Sequence, residues 1–172
     1  QTAAVGVGGF PPPGANTEEY NGTSWSNGTD FGTVRMNKFG TAGLEPAGLI
    51  FSGSETLNTE SYDGSSWTEV NNLNTGRNDP AGFGIVTAAI CAGGYSPPAP
   101  PGNVVASNES WDGTNWTEVN DLNTARGQQG GSGSFTAGLI YGGGAPPGSQ
   151  AVTEAWDGTS YTEVADMATA RY

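Results

Sequence analysis

The stretch Thr136-Ala-Gly-Leu-Ile-Tyr-Gly-Gly143, followed by Glu154-Ala-Trp-Asp-Gly158, Tyr161-Thr-Glu-Val164 and Met167-Ala-Thr-Ala-Arg171, decides the fold. A short apolar run closed by two glycines predicts a strand buried on both faces. The Glu-x-aromatic piece predicts a second strand, and the stretch opening at Tyr161 a third. Asp-Gly between them is a strong hairpin signal, predicting a type I′ turn with φ > 0 at both central residues. The Gly-rich segment ahead of the apolar run, Gly127–Phe135, supplies one further strand, nearest a central axis, where small residues let neighbouring sheets crowd together.

Working outward, the same sentence recurs three times upstream. The apolar strand returns as Thr2-Ala-Ala-Val-Gly-Val-Gly-Gly9, Pro46-Ala-Gly-Leu-Ile-Phe-Ser-Gly53 and Thr87-Ala-Ala-Ile-Cys-Ala-Gly-Gly94. The second block returns as Glu18-Glu-Tyr-Asn-Gly22, Glu60-Ser-Tyr-Asp-Gly64 and Glu109-Ser-Trp-Asp-Gly113, each with an indole soon after, at Trp25, Trp67 and Trp116. Tyr20, Tyr62, Trp111 and Trp156 are 42, 49 and 45 residues apart. A period near 45 built from strand-length pieces predicts an all-β fold: a β-propeller of four repeats with four antiparallel strands each, the outer blades incomplete. The repeats run 1–39, 40–77, 78–126 and 127–172, within a single domain over 1–172. The aromatic rings are expected to pack between sheets, each burying on the order of 200 Å².

These residues resemble the kelch-repeat family: apolar strand, Gly-Gly, an aromatic-Asp pair, a following aromatic, then Met/Leu-x-x-x-Arg. The last repeat carries the pattern most fully, through Tyr141-Gly-Gly143, Trp156-Asp157, Tyr161 and Met167-Ala-Thr-Ala-Arg171. The Asp-Gly-Ser/Thr-x-Trp and Asn-Thr-Ala-Arg style is also similar to kelch-like proteins of marine bacteriophages, which implies a structural protein of a virion. The first copy departs, with Asn21 for Asp and an insert from Ser26 to Arg35; the second has Ser52-Gly53 for Gly-Gly. The family implies six or seven blades. Two readings of the ends stand: a stretch of a longer propeller, which is favoured, or a four-bladed ring whose ends meet imperfectly.

Composition excludes several functions. The net charge is -12, from 17 acids and five bases. Nucleic-acid binding needs a Lys/Arg footprint, so no nucleic-acid partner is expected. No apolar run reaches the ~18 residues of a membrane span. The sequence opens at Gln1 without a signal peptide and reads as a processed or excerpted piece. There is no histidine, which removes the commonest general base, the Ser-His and Cys-His nucleophile systems and the commonest metal ligand. Kelch relatives that oxidise sugars with copper use histidine ligands, so that activity does not carry over. The acids recur at equivalent positions, as with Glu69, Glu118 and Glu163, and read as parts of the repeat. Asp63-Gly-Ser-Ser-Trp67 is one residue short of a sialidase Asp-box. No dense Asp-x-Asp run supports calcium, and no Gly-Lys-Ser/Thr follows the glycine pairs. No cofactor and no metal are expected. Cys91, the lone cysteine, reads as a small buried hydrophobe. The sequons at Asn21, Asn27, Asn108 and Asn115 follow from composition.

Binding candidates remain. Arg77, Arg126 and Arg171 share one repeat position; Glu18, Glu60, Glu109 and Glu154 share another. Each Arg is expected to dock a glutamate or backbone carbonyls where repeats meet; the alternative is an anion-binding mouth. Phe10, Pro12, Tyr95, Pro97, Pro98 and Pro146 lie in proline-stiffened loops that hold a surface ready at low entropic cost. The sequence therefore predicts a non-enzymatic module at a virion or cell surface. It acts in attachment or assembly, through a protein partner or self-association. A lectin-like propeller that takes a glycan on its aromatic loops is the alternative, and a carboxylate hydrolase the third reading.

Overall fold

The computed structural model describes residues 3–9, 14–35, 38–44, 46–53, 56–96 and 103–172. Among these there is no helix, and the seventeen strands follow the repeat. The first sheet holds β1 (Ala4–Val7), β2 (Thr17–Tyr20) and β3 (Trp25–Asn27). The second holds β4 (Gly40–Leu44), β5 (Ala47–Phe51), β6 (Thr59–Tyr62) and β7 (Trp67–Val70). The third holds β8 (Ala81–Ile85), β9 (Ala88–Ala92), β10 (Asn108–Trp111) and β11 (Trp116–Val119). The fourth holds β12 (Gly130–Ser134) and β13 (Ala137–Tyr141), and a two-stranded hairpin of β14 (Gly144–Ala145) and β15 (Gly148–Ser149) branches off before β16 (Thr153–Trp156) and β17 (Tyr161–Val164) complete it. Every pairing is antiparallel, and each sheet is a simple meander. No sheet closes on itself.

Successive sheets lie face to face. The inner strands β4, β8 and β12 are neighbours in that order. Their glycines make this possible: a Cβ on Gly82 of β8 would stand 2.6 Å from the Thr41 carbonyl oxygen and 2.7 Å from the Thr41 amide nitrogen. The layers between sheets are the core. Leu49, Phe51 and Leu73 of the second repeat meet Ala89, Cys91, Trp111 and Trp116 of the third. Phe83, Ile90 and Leu122 of the third meet Ile140, Trp156 and Tyr161 of the fourth. The Phe51 and Trp116 rings stand edge to face with centroids 4.8 Å apart. Truncating such a ring to alanine costs about 3–5 kcal/mol.

Three expectations need correction. The hairpins form where Asp-Gly places them, but β6 ends at Tyr62 and β7 begins at Trp67, so the loop has four residues rather than the two of a type I′ turn. Gly64 has φ 97°, and the turn is built by a side chain: Asp63 Oδ1 accepts from the Ser65 and Ser66 amides, at 2.9 Å each. Second, the apolar strand is not buried on both faces in the fourth sheet; Leu139 of β13 is 42% exposed, because no sheet covers that side. Third, Trp25 of the first sheet is 54% exposed for the same reason on the opposite side, whereas Trp111, Trp116 and Trp156 are buried between sheets.

Candidate functional site

The strongest side-chain chemistry lies at the junctions between repeats. In the register of the apolar and third strands, Glu60 sits opposite Ile50, Glu109 opposite Cys91 and Glu154 opposite Ile140. Directly opposed residues share a face, so each glutamate points back at the preceding repeat. There it meets a Thr-x-Arg turn. Glu109 accepts from the Asn74 amide at 2.8 Å, the Thr75 amide at 3.2 Å and the Asn74 side chain at 2.9 Å. Arg77 closes the cradle with an ion pair to Glu109. Glu154 repeats the arrangement with Asn123 (2.7 Å), Thr124 (3.2 Å) and Arg126 (2.5 Å). Glu60 does so with Gly32 (2.5 Å), Thr33 (3.1 Å) and Arg35 (3.2 Å).

Arg35, Arg77 and Arg126 are buried, as are their glutamates. Burying a charge is tolerable only when it is paired and its remaining hydrogen-bonding capacity is filled. The guanidiniums meet part of that condition by spanning to carbonyls as well: Arg77 reaches the Ser107 carbonyl at 2.5 Å, and Arg35 the Ser52 carbonyl, while the Nε atoms of Arg35 and Arg126 are buried without a partner among the described residues. An indole adds a second tie. Trp67 Nε1 donates to Thr17 at 2.9 Å, and Trp116 Nε1 to Thr59 at 3.0 Å.

Arg77 and Arg126 thus dock the glutamate of the following repeat, the interlocking role that the sequence suggests for this position. Arg171 does not join them: it is exposed, and its guanidinium Nε donates to the Thr169 carbonyl at 3.4 Å. Tyr95 is half-buried, bridged to Asn78 and Val104, with its ring lying against Gly127. Burial pushes its hydroxyl above the ordinary tyrosine range. Pro146 is exposed in the turn between β14 and β15. Phe10, Pro12, Pro97 and Pro98 lie outside the described residues, so of the loop residues named in sequence only Tyr95 and Pro146 are described. Cys91 is buried, and desolvation pushes its thiol up to about 12.

Arg35 is the functional residue that sequence reasoning did not single out. The signal existed: Thr33-Val-Arg35 matches Thr75-Gly-Arg77, Thr124-Ala-Arg126 and Thr169-Ala-Arg171. The insert from Ser26 to Arg35 hid it.

A depression of about 460 Å³ runs along the inner strands. Its floor is Ala4, Thr41, Gly43, Gly82, Gly84 and Ser132, and no carboxylate or cysteine lines it. Among the described residues no cluster of three or more Cys, Asp or Glu is arranged to hold a metal ion, and no helix is long and apolar enough to cross a membrane.

No family model matches this sequence, and no curated protein does. Similarity to solved structures is extensive, with 159 matching chains. The structure of YjhT matches with a TM-score of 0.77 and 14% identity, over 98% of this chain and 64% of that one. At that identity the likeness is one of fold, and this chain spans less than two thirds of the YjhT chain.

Proposed function

We propose that the chain is a kelch-like β-propeller segment and works as a non-enzymatic binding or structural module. Its role is attachment or assembly at a virion or cell surface through protein–protein contacts. The observation that carries this reading is the use of the buried charged groups: three arginines and three glutamates are consumed in holding one sheet to the next. Catalysis needs a group poised near a cavity with its proton or lone pair free. The depression along the inner strands is lined instead by glycine, alanine, threonine, serine, one tyrosine and apolar side chains, with no carboxylate or cysteine. The sheet-by-sheet stack and its small-residue inner strands support the propeller reading, and the Thr-x-Arg and aromatic-Asp-Gly repeats support the kelch-like one.

Glycan binding is the competing reading, and Tyr95 bears on it. A sugar-stacking ring must offer a free face, whereas the Tyr95 ring covers Gly127. The test is a glycan array probed with the labelled chain and with Tyr95→Ala. The expected result is no specific signal from either. A glycan signal that Tyr95→Ala abolishes would replace the protein-contact reading with the lectin one.

A further inference from the structure

Two Asn-Gly pairs lie close together in the first repeat, Asn21-Gly22 and Asn27-Gly28. In such a pair the side-chain carbonyl carbon of asparagine is one ring closure away from the next backbone nitrogen, and glycine has no side chain to obstruct the approach. Both asparagines are exposed. Their surroundings differ in what each glycine amide does. Gly28 N donates to the Thr17 carbonyl at 2.8 Å, and Asn27 is the last residue of β3, paired with Glu18 of β2. A Cβ on Gly28 would stand 3.0 Å from a carboxylate oxygen of Glu19, so a negative charge opposes removal of the proton from that amide. Gly22 N donates to nothing among the described residues.

The Asn21 side chain is held in place by its own loop. Its Oδ1 accepts from the Thr23 and Ser24 amides at 2.9 and 3.0 Å, which folds the side chain back over the Gly22 peptide. Those two donors point at the oxygen that takes up negative charge when Cγ is attacked. Asp63, Asp112 and Asp157 organise the same loop in the other repeats. The Ser24 Oγ lies 3.5 Å from Asn21 Nδ2, as the Ser66 Oγ does from Asp63 Oδ2. Asp63 and Asp112 belong to repeats with a sheet on either side, yet they are as exposed as Asn21. Access to the loop is therefore a property of the repeat. The aspartates differ as electrophiles. An ionised carboxylate resists attack, and the backbone hydrogen bonds hold all three carboxyls below their ordinary value, so they stay ionised at neutral pH.

We infer that Asn21 is a site of spontaneous deamidation carried by the first repeat, and that Asn27 is protected by the pairing of its glycine. Gly22 N loses its proton to solvent and bonds to Asn21 Cγ. The Cγ–Nδ2 bond breaks, and the departing nitrogen takes a proton from solvent and leaves as ammonia. Water then opens the five-membered imide. Attack at Cγ gives an aspartate, and attack at the main-chain carbonyl gives an isoaspartate with one more methylene in the backbone. The net reaction consumes one water, releases ammonium and adds one negative charge. The aspartate product gives the first repeat the loop chemistry of the other three, whose carboxylates accept the same two amide bonds.

The test is incubation of the folded chain in neutral buffer, with samples read over time by fragmentation mass spectrometry that assigns each conversion to its residue. The chain denatured in urea and the folded variant Asp63→Asn are run beside it. In urea both Asn-Gly pairs are expected to convert at similar rates. In the folded chain Asn21 is expected to convert at least about tenfold faster than Asn27, the cost of giving up one backbone hydrogen bond. In Asp63→Asn the second loop gains the same reaction, at a rate close to that of Asn21. Folded Asn21 converting no faster than Asn27, or staying intact while the denatured chain reacts, overturns the inference. A second loop that stays intact in Asp63→Asn overturns the role given to the loop.

Discussion

Asp112 Oδ1 accepts from the Thr114 amide at 2.8 Å and the Asn115 amide at 2.7 Å; Asp63 and Asp157 do the same in their loops. The backbone hydrogen bonds hold all three carboxyls below their ordinary value. A carboxylate with a depressed folded pKa stabilises the fold above its ordinary value, about 3.9 for aspartate. That contribution fades as pH falls through the lowered one. The first repeat provides an uncharged control, because Asn21 Oδ1 accepts from Thr23 and Ser24 in the same way, at 2.9 and 3.0 Å. Replacing Asp63, Asp112 and Asp157 together by asparagine is therefore expected to keep the loops and flatten the acid limb of the melting temperature against pH. An acid limb as steep as that of the wild type would show that these carboxylates carry none of it. Sequence alone indicated a hairpin at each Asp-Gly, but it suggested the wrong turn. The dipeptide is compatible with two left-handed residues, and here a side-chain acceptor organises the loop with one.

At the scale of the element, a repeat is tied to its neighbour by one cradle, and the four cradles are not equivalent. Arg126 is fully buried and paired to a fully buried Glu154. Arg126→Ala leaves that carboxylate with its amide donors but without its counter-charge, and breaking a buried pair costs about 3–5 kcal/mol. At about 2–4 °C per kcal/mol for a chain of this size, the melting temperature should fall by roughly 6–20 °C, the residual amide bonds favouring the lower end. Arg171→Ala removes an exposed side chain and should stay within about 0.5 kcal/mol of wild type. Thermal melts of the two variants side by side decide the matter; equal melting temperatures would remove the interlocking role from Arg126. Most of this was legible. The glycine pairs, the aromatic spacing and the recurrent Arg and Glu located nearly every strand, and gave the Arg–Glu pairing as the favoured alternative. The exposures of Trp25, Leu139 and Arg171 were not legible. Burial of a repeat residue depends on what stands beyond its sheet, and identical words at the middle and end of a stack acquire different surroundings.

For the whole molecule, the structure sharpens what the charge count implies. Of the five bases, Arg35, Arg77 and Arg126 are buried and neutralised by glutamates, which leaves Lys38 and Arg171 as the exposed cations. The surface therefore carries the net charge of -12 with two isolated positive points to relieve it. Each phosphate contact by a protein cation releases condensed counterions, and that release supplies most non-specific affinity for nucleic acid. Two separated cations on an acidic surface supply almost none of it, and the surrounding field repels the polyanion at long range. The repulsion is greatest at low salt, where the Debye length is longest. Fluorescence anisotropy of a labelled DNA duplex titrated with the chain is thus expected to stay flat even in low-salt buffer, the condition that most favours ordinary DNA-binding proteins. A rise in anisotropy that salt reverses would mean that a cationic surface exists which this arrangement of buried arginines does not provide, and the exclusion of nucleic acid from the list of partners would fall.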